Sequence, residues 1–399
     1  MLKKLLCCAV ASTLSIPAFA RFSDNKIVIG VLGDQSGVVA DVGGPGSILA
    51  AKMAVEDFGG KVNGVPVEIL SADHQEKAEI ASTIAREWFD RKGVDVIVDL
   101  PNTGVVYALA SIAREKKRLL MVSGAAAVDI TGSQCSSYVS HWTDDTYSLS
   151  QGTAKVLMKQ GYKNWFFLTD DYSFGHALEK DASTVVTSEG GKVLGNAKSP
   201  LGTTDYSTLL LRARASRAQV IALASAGTDT INAIKQAAQY GIKPDTQRIA
   251  ALHAFITDVN SIGLQAAQGL IITSGFYWNE SNGTRAFAKR FFAKQGRMPT
   301  REQAGVYVSV MHYLKAAKVA DTDNADTVTA EMRKIPVDKF GQVAHLEANG
   351  RVTYDLGVYQ VRKPGDVKTP WDYYERIGTV PAAAAFRPAA QSGCQLPSK

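Results

Sequence analysis

Clustered positive charge is missing from this chain. Its 44 lysines and arginines against 38 acids leave a net charge of +6, but the bases are scattered and never alternate with aromatics, which excludes a nucleic-acid surface. Metal chemistry is equally unsupported. The six histidines, His74, His141, His176, His253, His312 and His345, include no pair at the i, i+4 spacing of zinc-binding helices. Ser36 stands in Gly33-Asp-Gln-Ser-Gly37, which is not the nucleophile elbow of hydrolases. Gly59-Gly60-Lys61 and Gly190-Gly191-Lys192 lack the Ser or Thr that follows the lysine of a phosphate loop. The glycines around Pro45 read as a structural turn. These absences point to a protein with no catalytic residue, no metal and no cofactor.

Cysteine is scarce, and its placement is informative. Cys7 and Cys8 fall in an apolar run from Leu5 to Ile16, behind the basic pair Lys3-Lys4 and ahead of Ala18-Phe19-Ala20. That arrangement is a secretory leader with a small-x-small cleavage site. The run is too short for a bilayer, which takes about 20 apolar residues. Loss of residues 1–20 removes two lysines and leaves a mildly basic chain of net charge +4. Only Cys135 and Cys394 survive. In an oxidising compartment an even pair reads as one disulfide, two buried free thiols being the alternative.

Beyond Arg21 the hydrophobic pattern alternates. Lys26–Leu32 is an apolar, β-branched stretch suited to a strand covered on both faces. Helical spacing follows over Ser47–Phe58, then strand, helix and strand at Val65–Ser71, Ala78–Arg91 and Val94–Leu100, and a helix and strand at Val105–Lys117 and Leu119–Ser123. The same grammar restarts at Trp165–Thr169 and runs to a second sheet completed by Arg248–Leu252 and Gly269–Thr273. Such βαβ units specify an α/β fold with mainly parallel sheets between helix layers. The length favours two lobes. Helices at Asn282–Gln295 and Gln303–Val319 are assigned to the first lobe. Neither a tandem repeat nor a long linker is visible. Lobe 1 is expected over 21–143 plus 276–348, and lobe 2 over 144–275 plus 349–399. Short crossings are expected near Ser140–Asp145, Thr273–Trp278 and His345–Tyr354.

Val31-Leu-Gly-Asp-Gln-Ser-Gly37, Gly43-Gly-Pro-Gly46 and Ala54-Val-Glu-Asp57 resemble the start of ABC-transporter substrate-binding proteins of the branched-chain amino-acid (Leu/Ile/Val-binding) type. The likeness continues through Leu120-Met-Val-Ser-Gly-Ala125, Asp170-Asp-Tyr-Ser-Phe-Gly175 and Ile234–Gly241, across essentially the whole mature chain. The resemblance implies a type I periplasmic-binding fold with three crossover segments. It also implies a ligand held between the lobes, a periplasmic location, and ABC-transporter permease subunits of the inner membrane as partners. The chain is expected to act as a monomer.

In parallel sheets, ligands sit beyond the carboxyl ends of the strands, near helix N-termini. Asn102 and Thr103 open one helix and are candidates to bind a carboxylate, although helix capping uses the same residue types. Ser123, Gly124, Ala125 and Ala126 match the family's loop around the ligand's polar head. Across the cleft stand Asp171, Tyr172, Gly227 and His253, with Trp142 at a crossing as a ring that can stack on a ligand. The family usually meets a ligand ammonium with a lobe 2 carboxylate. His253-Ala-Phe255 offers none. A buried, unpaired ammonium costs several kcal/mol, so the sequence favours an aromatic or hydrophobic organic acid. A branched-chain amino acid, another amino acid or an amide is the alternative, as is a sensor role for the same cleft. For the exported protein, mass spectrometry should find a mature N-terminus at or near Arg21. An intact leader would mean that residues 1–20 anchor rather than address the chain.

Overall fold

The computed structural model describes residues 22–242 and 246–396. The expected leader therefore lies outside the described residues. Strand β1 (Ile27–Gly33) is buried at every position. Helix α1 (Gly44–Phe58) has Pro45 in its first turn, where its missing N–H costs no hydrogen bond. β2 (Lys61–Val62), β3 (Val65–Asp73), α2 (Ala78–Arg91), β4 (Val96–Asp99), α3 (Thr103–Lys116), β5 (Leu119–Val122) and β6 (Val139–His141) follow. Their six-stranded sheet has the order β2-β3-β1-β4-β5-β6, parallel apart from the short β2. Both faces are covered, because Ile27, Ile29 and Val31 enter one hydrophobic cluster while Val28 and Leu32 enter another. Gly30 is required in the middle of β1. A Cβ there would lie 2.3 Å from the Trp88 ring of α2.

The second sheet is built from α4 (Thr146–Lys159), β7 (Asn164–Asp170), α5 (Ser173–Ser188), β8 (Lys192–Ser199), α6 (Ser207–Ala215), β9 (Val220–Ala224), α7 (Gly227–Gln239) and β10 (Arg248–Ala251). The order β10-β9-β7-β8 is wholly parallel. Trp165 and Phe167 face one cluster, Phe166 and Leu168 the other.

After α8 (Ile256–Ile262) and α9 (Leu264–Ala267) comes β11 (Ile271–Ser274). The sequence reading put this strand in the second parallel sheet, and the structure corrects it. Its backbone partner is a strand whose paired residues lie 83 to 89 positions further on (Ser274 with Gly357, Ile271 with Gln360), in a separate antiparallel sheet. Periodicity identifies a strand but not its neighbour, which only long-range pairing decides. Next come α10 (Asn282–Gln295), α11 (Arg301–Ala320) and α12 (Ala325–Lys334). Phe287, Phe291, Val306 and Val310 of α10 and α11 pack in the same cluster as Ile27 and Val96. β12 (Val337–Lys339), β13 (Gln342–Leu346) and β14 (Val352–Thr353) form an antiparallel meander. β15 (Leu356–Val361) then pairs with both β11 and β16 (Tyr374–Val380). The short α13 (Ala382–Ala385) leads into the tail. Cys135 and Cys394 are joined as a disulfide, which ties that tail to the loop before β6.

The segments between the two parallel sheets converge on one carboxylate. Asp144, 1 % exposed, accepts hydrogen bonds from Gly275 N at 3.0 Å and Tyr354 Oη at 3.0 Å. It also pairs with Arg301 Nε at 3.2 Å. Beside it, Arg351 reaches Asp145 at 3.4 Å and the Thr143 carbonyl, and its guanidinium lies over the Phe386 ring. Removing one partner of a buried ion pair leaves a desolvated charge, which costs about 3–5 kcal/mol. Asp144→Ala should therefore lower unfolding free energy by about that amount in urea denaturation. Asp171→Ala, at an exposed position, should change it little; equal effects would remove Asp144 from this central role.

Candidate functional site

The carboxyl ends of β4, β5, β7 and β9 face one another across the interlobe gap, and the gap is narrow. Thr228 N donates to the Val38 carbonyl at 3.1 Å. Gly227 adopts φ +56°, and a Cβ there would lie 2.3 Å from that same oxygen. Arg301 Nη1 donates to the Ala254 carbonyl at 2.8 Å. The loop before α1 therefore touches the start of α7, and α11 touches the loop before α8.

The residues expected at this site divide into three groups. Thr103 and Ser123 are fully buried, and neither hydroxyl has a hydrogen-bond partner. Tyr172 is half-buried as the N-cap of α5, its ring 5.9 Å from Phe174. His253 lies between Phe174 and Phe255, with ring centroids at 4.9 and 4.7 Å. Burial and then Arg301 hold its pKa well below the usual range, so the ring is neutral at physiological pH.

A second group is committed to the fold. Asn102 caps α3 through Val105 N at 3.2 Å and donates to Glu76 Oε2 at 2.8 Å. The N–H groups of Ser123 and Gly124 both donate to the Asp99 carbonyl, and that of Ala125 to the Leu100 carbonyl, each at 2.9 Å. These three N–H groups thus brace a left-handed kink, φ 81° at Asp99 and 59° at Leu100. The Ala126 carbonyl accepts from Thr146 N.

The remaining two residues point elsewhere. Asp171 is solvent-exposed, its carboxylate 2.7 Å from His176 Nε2 and 3.4 Å from Lys198 Nζ. Trp142 is buried against His312 at 5.4 Å, with its indole N–H donated to Ser140 Oγ. Its ring fills the core beneath the first crossing, where apolar burial outweighs any stacking role.

Carboxylates are what the sequence reading missed. Asp170, the last residue of β7, is 1 % exposed and neither of its oxygens has a hydrogen-bond partner. Asp229, in the first turn of α7, accepts from Gly202 N at 2.8 Å through one oxygen while the other has no partner. From the facing lobe come Glu76 after β3 and Glu302 at the start of α11, each with one buried oxygen lacking a partner. All four act electrostatically on the Tyr172 hydroxyl, raising its pKa together with burial. A lobe 2 carboxylate is therefore present. It stands on β7 and α7 rather than in the 253–255 loop. The Asp170-Asp171 pair marked the place, but in a strand buried on both faces no local pattern tells which of two adjacent acids turns inward.

Burial, with the neighbouring Asp229, pushes the Asp170 carboxyl up to about 8. Burial takes Asp229 to about 6 and Glu76 to about 7, and raises Glu302 well above the carboxylate range. Desolvated carboxyls without donors either hold protons or wait for a cation. A protonated nitrogen supplies both the missing charge and the missing N–H groups.

A profile of the periplasmic binding protein family matches residues 26–366. The chain is 27% identical over 376 residues to the Leu/Ile/Val-binding protein homolog 6 of Brucella melitensis, covering 92% of this chain and 94% of that one. A crystal structure of a periplasmic binding protein from Burkholderia mallei superposes with a TM-score of 0.92 at 44% identity, covering 94% of this chain and 100% of that one. A branched chain amino acid ABC transporter periplasmic ligand-binding protein from Burkholderia xenovorans LB400 gives a TM-score of 0.83 at 39% identity, over 92% and 99% of the two chains.

The raised acids make a signed prediction. A carboxyl whose folded pKa is lifted to about 8 stabilises the fold below its unfolded value of about 3.9, and that contribution is lost as pH rises toward the folded value. Asp170→Asn should therefore gain stability relative to the ligand-free wild type as pH rises from about 4 to about 8, by at most about 1.4 kcal/mol per pH unit. Denaturation curves across that range test it. A difference that stays flat with pH would mean Asp170 is not held protonated.

Proposed function

The chain belongs to the periplasmic binding protein family, and on that footing we propose that it captures a small solute carrying a protonated nitrogen, an amino acid among them. In this reading the cleft closes over the solute, which is then delivered unchanged to ABC-transporter permease subunits of the inner membrane. The observation that supports the ligand class is Asp170, buried beside Asp229 with only a weak backbone donor, the Ala226 N–H, to offset its burial, and with Glu76 and Glu302 acting on the same Tyr172 hydroxyl. The organic acid favoured on sequence grounds is the second reading, and it requires these carboxyls to stay protonated, since an anion beside ionised acids adds like charge where a cation relieves it. Thr103 and Ser123 keep free hydroxyls for the solute's polar end. The Tyr172 hydroxyl lies within electrostatic reach of all four acids, and His253 closes the apolar side as a neutral ring.

The bodies that move are the two lobes, each built on one of the parallel sheets, and the protein acts as a monomer. Closure is favoured by the ligand because only the closed form contacts it from both lobes. Bound-state charge pairing then replaces the proton that Asp170 otherwise holds. Release to the permease needs only reopening about the Asp144 node.

Two measurements test this. Mass spectrometry of the compound that copurifies with protein from its native host should find a basic nitrogen, and calorimetry should show Asp170→Asn weakening that compound at least tenfold, or about 1.4 kcal/mol. A copurified ligand without a basic nitrogen, or affinity unchanged by Asp170→Asn, overturns the ligand class while leaving the carrier role standing.

A further inference from the structure

A second cavity, of about 490 Å³, lies behind the hinge rather than between the lobes. Its walls come from the segment that follows β11, the N-terminus of α10, the β12–β13 turn, and β15 with β16. None of the acids grouped around Tyr172 lines it. The size falls within the usual range for small-molecule sites.

Its walls are aromatic in pairs. Phe276 and Phe340 stand 5.4 Å apart, and Tyr277 and Tyr359 also 5.4 Å apart, by ring centroid. Its charged lining residues are Lys339, Arg376, Glu280 and Asp355. Glu280 is already engaged by Tyr359 Oη at 2.7 Å and by Arg376. Asp355 is solvent-exposed and accepts from Ala382 N at 2.8 Å. Lys339 is the group left over. It is 93 % buried, at 7% exposure, and its ammonium lies 3.6 Å from the centroid of the Tyr354 ring with no carboxylate in ion-pair range among the described residues. Burying an ammonium without an anion is expensive. Burial pushes its pKa down to about 8, against the pull of Asp144. The start of α10 adds the positive end of a helix dipole to the same space.

We propose that this hinge cavity is a binding site for a small organic anion with a flat or apolar body, a carboxylate set against Lys339 and its body between the aromatic walls. The site stands whether or not the interlobe cleft takes an amine. An occupant touches both the crossing after β11 and the β12–β13 turn, so it braces the hinge from behind.

4-Bromobenzoate is the probe. Anomalous scattering from crystals of the wild-type protein soaked with it should place bromine in this cavity, and calorimetry should show Lys339→Met weakening it at least tenfold while Lys339→Arg retains most of the affinity. Asp170→Asn should leave its affinity unchanged. Bromine found only between the lobes, no bromine in the hinge cavity, or affinity equal in wild type and a folded Lys339→Met, overturns the site. The crystal measurement needs no substitution and so decides the matter even if Lys339→Met fails to fold. Loss of amine binding in the cleft leaves this result untouched.

Discussion

Asp144 is the point at which the segments joining the two parallel sheets meet. One buried carboxylate accepts from Gly275 and Tyr354 and pairs with Arg301, so three stretches of chain that are remote in sequence meet at a single charge. A buried charge must be paired to be tolerated. That requirement fixes the crossings at their centre. Arg351, paired with Asp145 and lying over Phe386, brings the tail into the same network. The Cys135–Cys394 disulfide secures that tail beyond it.

The cleft follows an opposite electrostatic logic. At the hinge Asp144 and Asp145 each have a base and a donor, whereas Asp170, Asp229, Glu76 and Glu302 each keep at least one buried oxygen without a hydrogen-bond partner. A site of this kind is unfavourable when empty and charged, and it becomes favourable when protons or a cation arrive.

Much of the fold was legible because it is written in local periodicity. Fully apolar runs such as Trp165–Leu168 divide between two cores, and helices of 9 to 16 residues separate the strands of that sheet. Pairing was harder. β11 reads as one more strand of the parallel sheet, yet it bonds to β15, since a short strand carries no mark of its partner. Trp142 shows the same limit for side chains. Its position at a crossing suggested a stacking ring, but the ring lies in the lobe 1 core against His312.

The amino-acid sequence by itself determined the alternation of strands and helices, the family likeness and the even cysteine pair, because each depends on neighbours in the chain or on simple counting. Tertiary structure decided which acids turn inward. Residues 76, 170, 229 and 302 come from four separate elements, and an acid bound for solvent looks the same in sequence as one bound for a cleft. Only the folded chain removes water from one and not the other, and that desolvation, rather than the residue type, creates the chemistry of the site.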